Sequence, residues 1–320
     1  MTRDKAMQVI AHRGGAALRV ENTLAAFDNA MTLGAAGAEL DVHLSRDGQV
    51  IVHHDGALHP GYCKGADGTW IDEDNRPRIA DLSLAELQRY EIGVPRPGSD
   101  YARRHPRIVP VPGQCIPLLR DVIQLAKMRS PHFRLVIEIK TPMEHAARQA
   151  WRNLLDATLD ILREEDFFAR AILCSFDWGA LVTAKKQCPE LSTWFTTVPL
   201  SWFEPGQPPR EDDPPDPDYL QTLRTLYGSG AASWYAGLNP RRLAGGYPEA
   251  VASAGGDAWF MYDRDCTAAR VNALHARGLL AATWSINEPD RDRLTRLARM
   301  GMDAACLDEP DLALEATASS

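Results

Sequence analysis

The chain has 320 residues, of which 45% are hydrophobic and 24% charged, an ordinary balance for one large globular unit with a sizeable core. Its net charge of −8 argues against a protein that grips nucleic acid through phosphates, because such proteins are usually basic. No run is apolar enough to span a membrane. The six scattered cysteines form no CxxC pair, and the N-terminal stretch lacks the apolar core of a signal peptide, so the chain reads as soluble and cytoplasmic. In chain order, Gln8–Ala11 is a first strand. Asn22 and Thr23 offer caps to a helix with Leu24, Phe27 and Met31 on one face, stopped by Gly34. Further strands are expected at Ala38–Leu44, Leu135–Lys140, Ala171–Ser175, Ser192–Thr197, Ala258–Tyr262, Leu280–Ile286 and Ala304–Leu307. That makes eight short apolar strands with room for a helix between most neighbours. The alternation predicts an α/β protein, a (β/α)8 TIM-like barrel.

Gln49–His54 breaks the alternation. Only Ser45–Gly48 separates it from the second strand, too little for a parallel crossover, and Asp47-Gly48 is a hairpin signal. A turn centred there puts His54 roughly opposite Asp41. Residues 55–115 then read as an insertion, rich in Gly, Pro and charge, within a single barrel domain spanning 1–320. A helix signal stands at Ser83–Tyr90. Glu204–Pro217 is Pro-rich and acidic and reads as a loop, and Ala316–Ser320 as a frayed tail. The Gly-rich stretch 228–256 carries no clear element.

Barrel active sites lie at the C-terminal ends of the strands. Three strands end or continue in residues foreign to a core: His12-Arg13, Glu39 with Asp41, and Glu138 with Lys140. Residues two apart on a strand share a face, about 6.6 Å apart. Three carboxylates converging on one mouth repel each other and call for a hard divalent cation, Mg2+ or Ca2+ rather than Zn2+. His12 and His54 are then free for proton transfer, and Arg13 and Lys140 for an anion. Singly, each feature has a commonplace explanation: a solvated edge strand, a structural histidine, a same-face ion pair. Their combination is hard to explain by packing.

The stretches His12–Thr23, Ala26–Asp55 and Val136–Lys140, with weaker matches at Ser175–Asp177, Thr283–Asn287 and Gly301–Pro310, resemble the glycerophosphodiester phosphodiesterase family. The resemblance is dense over the first 55 residues and sparse between Pro142 and Leu279. It implies a metal bound by Glu39, Asp41 and Glu138, an acid/base pair in His12 and His54, and phosphate contacts from Arg13 and Lys140. It also implies a pocket wall at Trp284, whereas Asn287 reads as a helix cap. The expected reaction is hydrolysis of a small glycerophosphodiester to glycerol 3-phosphate and an alcohol. The rival is a lysophospholipase D-type reaction, which would need an apolar groove in the insertion. Family members commonly carry Pro where Val20 stands; Pro there helps the turn into the helix, and little depends on it. His43 shares the face of Asp41 and could support the site, and His53 reads as structural.

Overall fold

A computed structural model describes residues 6–143, 149–203, 217–230, 232–286 and 291–318. Its strands are β1 (Gln8–Ala11), β2 (Gly37–Leu44), β3 (Val50–Val52), β4 (Arg134–Ile139), β5 (Ala171–Ser175), β6 (Ser192–Thr196), β7 (Ala258–Tyr262), β8 (Leu280–Ile286) and β9 (Ala304–Leu307). Its α-helices are α1 (Leu24–Leu33), α2 (Leu84–Leu87), α3 (Asp100–Arg104), α4 (Leu119–Arg129), α5 (Arg152–Glu164), α6 (Trp178–Gln187), α7 (Pro217–Ser229), α8 (Gly246–Ser253), α9 (Ala268–His275), α10 (Arg291–Arg299) and α11 (Pro310–Ala318). The strands follow the order β1-β9-β8-β7-β6-β5-β4-β2, and β1 pairs with β2 to close the ring. All eight of these neighbours are parallel, which makes the fold a closed α/β barrel.

The elements follow from local chemistry. Thr23 caps α1 by accepting from Ala26 N, a contact worth about 1 kcal/mol, and Gly34 ends the helix in the left-handed region at φ 86°. Phe27 and Ala30 on its buried face pack in the layer between strands and helices. Alternate residues of the strands point the other way. Ile10, Val136, Ile172, Trp194, Phe260, Ala282 and Cys306 fill the barrel interior as a separate buried cluster.

β3 is the antiparallel exception. Val42 pairs with Val52 and Leu44 with Val50, and Ser45 N donates to Gln49 O at 3.0 Å. The connection is therefore a three-residue loop, Arg46-Asp47-Gly48, with Gly48 at φ 76°. This corrects the sequence-based register by one residue. Asp41 faces His53, whose N–H donates to Asp41 O at 3.0 Å, and His54 stands one residue beyond.

Beyond His54 the chain leaves the barrel and builds a second apolar cluster, with Leu58, Tyr62, Ile79, Leu87, Ile92 and Ile116 packed on Ile51 of β3 and on Val20. Ser83 caps α2 in a capping box with Glu86, and the helix ends at Leu87, within the signal at Ser83–Tyr90. Stretch 228–256 contains α8. The tail is also corrected: α11 continues to Ala318, and Ala316 is buried. The acidic Pro-rich stretch 204–216 and Asn287 lie outside the described residues. Among the described residues, no helix is long and apolar enough to cross a membrane.

Candidate active site

The site is the last inward layer of the barrel. Counting two residues past inward-facing Ile10, Val136, Phe260, Ala282 and Cys306 gives His12, Glu138, Tyr262, Trp284 and Asp308. On β2 the same face carries Glu39 and Asp41, in register with Val136 and Glu138 of β4.

A tight turn delivers His12 and Arg13. Arg13 is left-handed at φ 49° and Gly14 follows at φ 85°. A Cβ on Gly14 would lie 2.7 Å from Ala26 Cβ and 2.9 Å from the Ala26 carbonyl carbon, so only glycine lets α1 approach the turn. The turn aims Arg13 N–H at Glu39 Oε2 (3.1 Å) and its guanidinium at Glu21 Oε1 (2.9 Å) and Asp41 Oδ2 (3.5 Å).

Glu39, Asp41 and Glu138 each offer an oxygen, and these oxygens lie within 4.8 Å of one another. Lys140 Nζ sits 2.9 Å from both Asp41 Oδ1 and Glu138 Oε1. Asn22 Nδ2 donates to Asp41 Oδ2 at 2.8 Å. Burial opposes ionisation of all three. Asp41 is nonetheless held well below the ordinary carboxylate range by Lys140, His54, Arg13 and the Asn22 bond. Glu39 is pushed up to about 8 by burial and by Asp41 beside it, despite His12 and Arg13. Glu138 is also raised, by burial and by Asp41, against the pull of Lys140. The protein's own cations thus leave the negative charge of the cluster under-compensated. An all-oxygen donor set with that deficit fits a hard divalent cation.

Each candidate acid/base group has a carboxylate behind it. His12 Nδ1–H donates to Asp308 Oδ1 at 2.6 Å, and its Nε2 stands 3.8 Å from Glu39 Oε2. Burial and Arg13 lower the His12 pKa, but Asp308 and Glu39 outweigh them and it stands above the ordinary value. His54 Nδ1–H donates to Asp55 Oδ1 at 2.8 Å. Burial, Arg13 and Lys140 bring His54 down to about 4, despite Asp41 and Asp55.

The other sequence-derived candidates divide between site and support. His43 Nε2 donates to the His54 carbonyl at 3.0 Å. His53 is buried, donates to Asp55 O at 3.0 Å and packs against Tyr62. Trp284 is half-buried at the end of β8, edge-to-face with Phe176 and tilted against Tyr262, both with centroids 5.5 Å away. The buried indole Nε1 of Trp284 has no hydrogen-bond partner among the described residues. Arg13 and Lys140, read from sequence as anion binders, face the carboxylates. Asp308, Asp55, Glu21 and Asn22 escaped the sequence reading as site residues. The motifs LDEP, HHD and ENT contain them, and Asp308 meets His12 only because β9 closes the barrel beside β1.

Residues 12–205 match the model of the glycerophosphoryl diester phosphodiesterase family. The chain belongs to that family. It is 32% identical over 183 residues to a glycerophosphodiester phosphodiesterase of Caldanaerobacter subterraneus subsp. tengcongensis, covering 57% of this chain and 63% of the relative. It is 41% identical over 88 residues to a lysophospholipase D of Rattus norvegicus, covering 27% of this chain and 24% of that protein. The chain thus spans less than two thirds of either relative. A crystal structure from Silicibacter pomeroyi DSS-3, assigned to the glycerophosphoryl diester phosphodiesterases, is similar with a TM-score of 0.80 at 25% identity, over 99% of this chain and 95% of that one.

Proposed function

We propose that this chain hydrolyses glycerophosphodiesters to glycerol 3-phosphate and an alcohol, with one divalent cation held by Glu39, Asp41 and Glu138. The observation that carries the reading is the convergence of two buried carboxylates and the part-buried Glu138 at a mouth that also holds two imidazoles, each backed by its own carboxylate. The bound cation would polarise a phosphoryl oxygen as a Lewis acid. Mg2+ and Ca2+ both suit oxygen ligands.

The chain's own residues supply the rest. Arg13 and Lys140, which face the carboxylates in this structure, would contact the phosphate as well once a cation neutralises the cluster. Asp308 and Asp55 fix His12 and His54 with Nδ1 protonated, which leaves Nε2 of each ring for the reaction. One imidazole takes the proton of the attacking hydroxyl, and the other protonates the departing alkoxide. The attacking hydroxyl belongs to water or to the glycerol itself; trapping a cyclic phosphate distinguishes the two. Trp284, with Phe176 and Tyr262, forms a wall for the carbon side of the substrate.

Small soluble diesters fit better than lysophospholipids. Most large apolar side chains of the insertion are turned into its own cluster, Val109 being exposed, and Arg76, His59 and His105 are among its half-exposed residues. We treat 1–320 as one barrel domain with residues 55–115 inserted. We assign it to the cytoplasm, a reading supported by six free cysteines. The test is turnover of glycerophosphocholine, glycerophosphoethanolamine and lysophosphatidylcholine, each with Mg2+ and with Ca2+, followed by phosphorus NMR. Release of glycerol 3-phosphate from the first two is expected. Exclusive turnover of lysophosphatidylcholine, or none of any, overturns the reading.

A further inference from the structure

Arg76 lies in the insertion, 22 positions beyond His54 in sequence. The segment after His54 forms a short antiparallel ladder with the segment carrying Arg76. Ala57 bridges Arg78, Leu58 N donates to Pro77 O at 2.9 Å, and Ile79 N donates to Gly56 O at 2.9 Å. Arg76 folds back across this ladder. Its Nε donates to Leu58 O at 3.0 Å and its Nη2 to Ala57 O at 3.2 Å. The same Nη2 donates to Asp55 Oδ2. Asp55 offers its other oxygen to His54 Nδ1–H at 2.8 Å. A planar guanidinium tied down by two carbonyls is a fixed donor, unlike a flexible ammonium.

We infer that Arg76 is a positioning residue for the acid/base step: through Asp55 it fixes the tautomer and direction of His54. The inference rests on the phosphodiesterase reading of the site. Its physical content is a chain of three held groups. The guanidinium keeps Asp55 ionised and oriented. An ionised Asp55 can only accept, so His54 must present its proton at Nδ1 and its lone pair at Nε2. His43 fixes the other end of the residue by donating to the His54 carbonyl at 3.0 Å. Asp55 itself stands well below the ordinary carboxylate range; burial opposes this, and His54 and Arg76 together overcome it. The Arg76–Asp55 ion pair is therefore a route by which the insertion reaches the chemistry.

The outer partners of functional side chains usually matter by about 10–100-fold. R76M is expected to lower kcat by about that factor while KM stays within about twofold, and R76K to recover part of the loss. D55N should lower kcat at least as much, and the double variant D55N/R76M should be no slower than D55N alone, because both act through one chain. Nitrogen-15 NMR of labelled histidine, with His54 assigned by comparison with H54Q, should find the Nδ1–H tautomer in the wild type and a mixture in R76M. Wild-type turnover in R76M, losses that multiply in the double variant, or an Nε2–H tautomer in the wild type would overturn the inference. If R76M does not fold, R76K and the wild-type spectrum decide it. Failure of the wild type to cleave any glycerophosphodiester would remove the reading of function, and the tautomer would still answer the structural question.

Discussion

Two layers of the same barrel interior, one strand repeat apart, have opposite chemistry. The lower layer is apolar apart from Glu39: Ile10, Val136, Phe260, Ala282 and Cys306 are buried in one cluster. The upper layer continues the same faces with His12, Glu138, Tyr262, Trp284 and Asp308. The lower layer stabilises the fold at about 25 cal/mol per Å2 of apolar surface removed from water. The upper layer works against the fold, since Glu138 is raised by burial and by Asp41 beside it, against the pull of Lys140. The contrast teaches that the layers depend on each other. A dry floor keeps the local dielectric low, which strengthens every ion pair above it and raises the penalty for any charge left uncompensated.

The comparison breaks most completely if the charge deficit of the upper layer is left open. Removal of divalent cations by chelation should abolish turnover, and Mg2+ or Ca2+ should restore it. The same ions should raise the melting temperature of the wild type, because a ligand that binds only the folded chain stabilises it. E39Q and D41N should weaken that rise. Full activity in metal-free protein would mean that Lys140 and Arg13 suffice as counter-charges. Next in size is the histidine pair. His12→Ala and His54→Ala should each reduce kcat by about 10²–10⁴-fold with the melting temperature nearly unchanged, since both side chains sit at the mouth. Near wild-type turnover in either variant removes that residue from the mechanism.

The lower layer should answer in the opposite currency. Phe260 is 3% exposed and meets Trp194 edge-to-face at 5.5 Å. Phe260→Ala should cost about 3–5 kcal/mol of stability, read from the denaturant midpoint. The kcat of the folded fraction should stay close to wild type. A large loss of turnover at unchanged stability would mean that the floor takes part in the chemistry.

The layering explains what the sequence discloses. Periodicity carries the strands, and the spacing of Glu39 with Asp41 and of Glu138 with Lys140 carries their shared face, because both are properties of one strand. Register across the hairpin is a different matter. A two-residue and a three-residue loop around Asp47-Gly48 differ by one position, and the left-handed Gly48 serves the longer one. Partners from distant segments are not legible at all. Asp308 reaches His12 across 296 positions only because β9 closes the barrel beside β1. Arg76 reaches Asp55 through a ladder with no periodic signature. Phe176 stood in a recognisable SFD motif, but its contact with Trp284 depends on how far β5 and β8 rise around the ring.

The smallest expected effect concerns the alcohol half of the substrate. On the proposed reading, the charged side of the mouth addresses phosphate and cation. On the same reading the carbon side is the aromatic group of Trp284, Phe176 and Tyr262. Specificity requires groups whose interaction differs between competitors, and a flat aromatic wall discriminates weakly between choline and ethanolamine. A glycerol hydroxyl held beside the phosphate contributes orientation, and a diester lacking it forfeits that contribution. The kcat/KM values for glycerophosphocholine and glycerophosphoethanolamine should therefore agree within about tenfold, roughly 1.4 kcal/mol in transition-state binding. Bis(p-nitrophenyl) phosphate should be cleaved far more slowly despite its better leaving group. If the aryl diester were instead the best substrate, the upper layer would be a general phosphodiester site. The aromatic wall would then serve the leaving group rather than the glycerol.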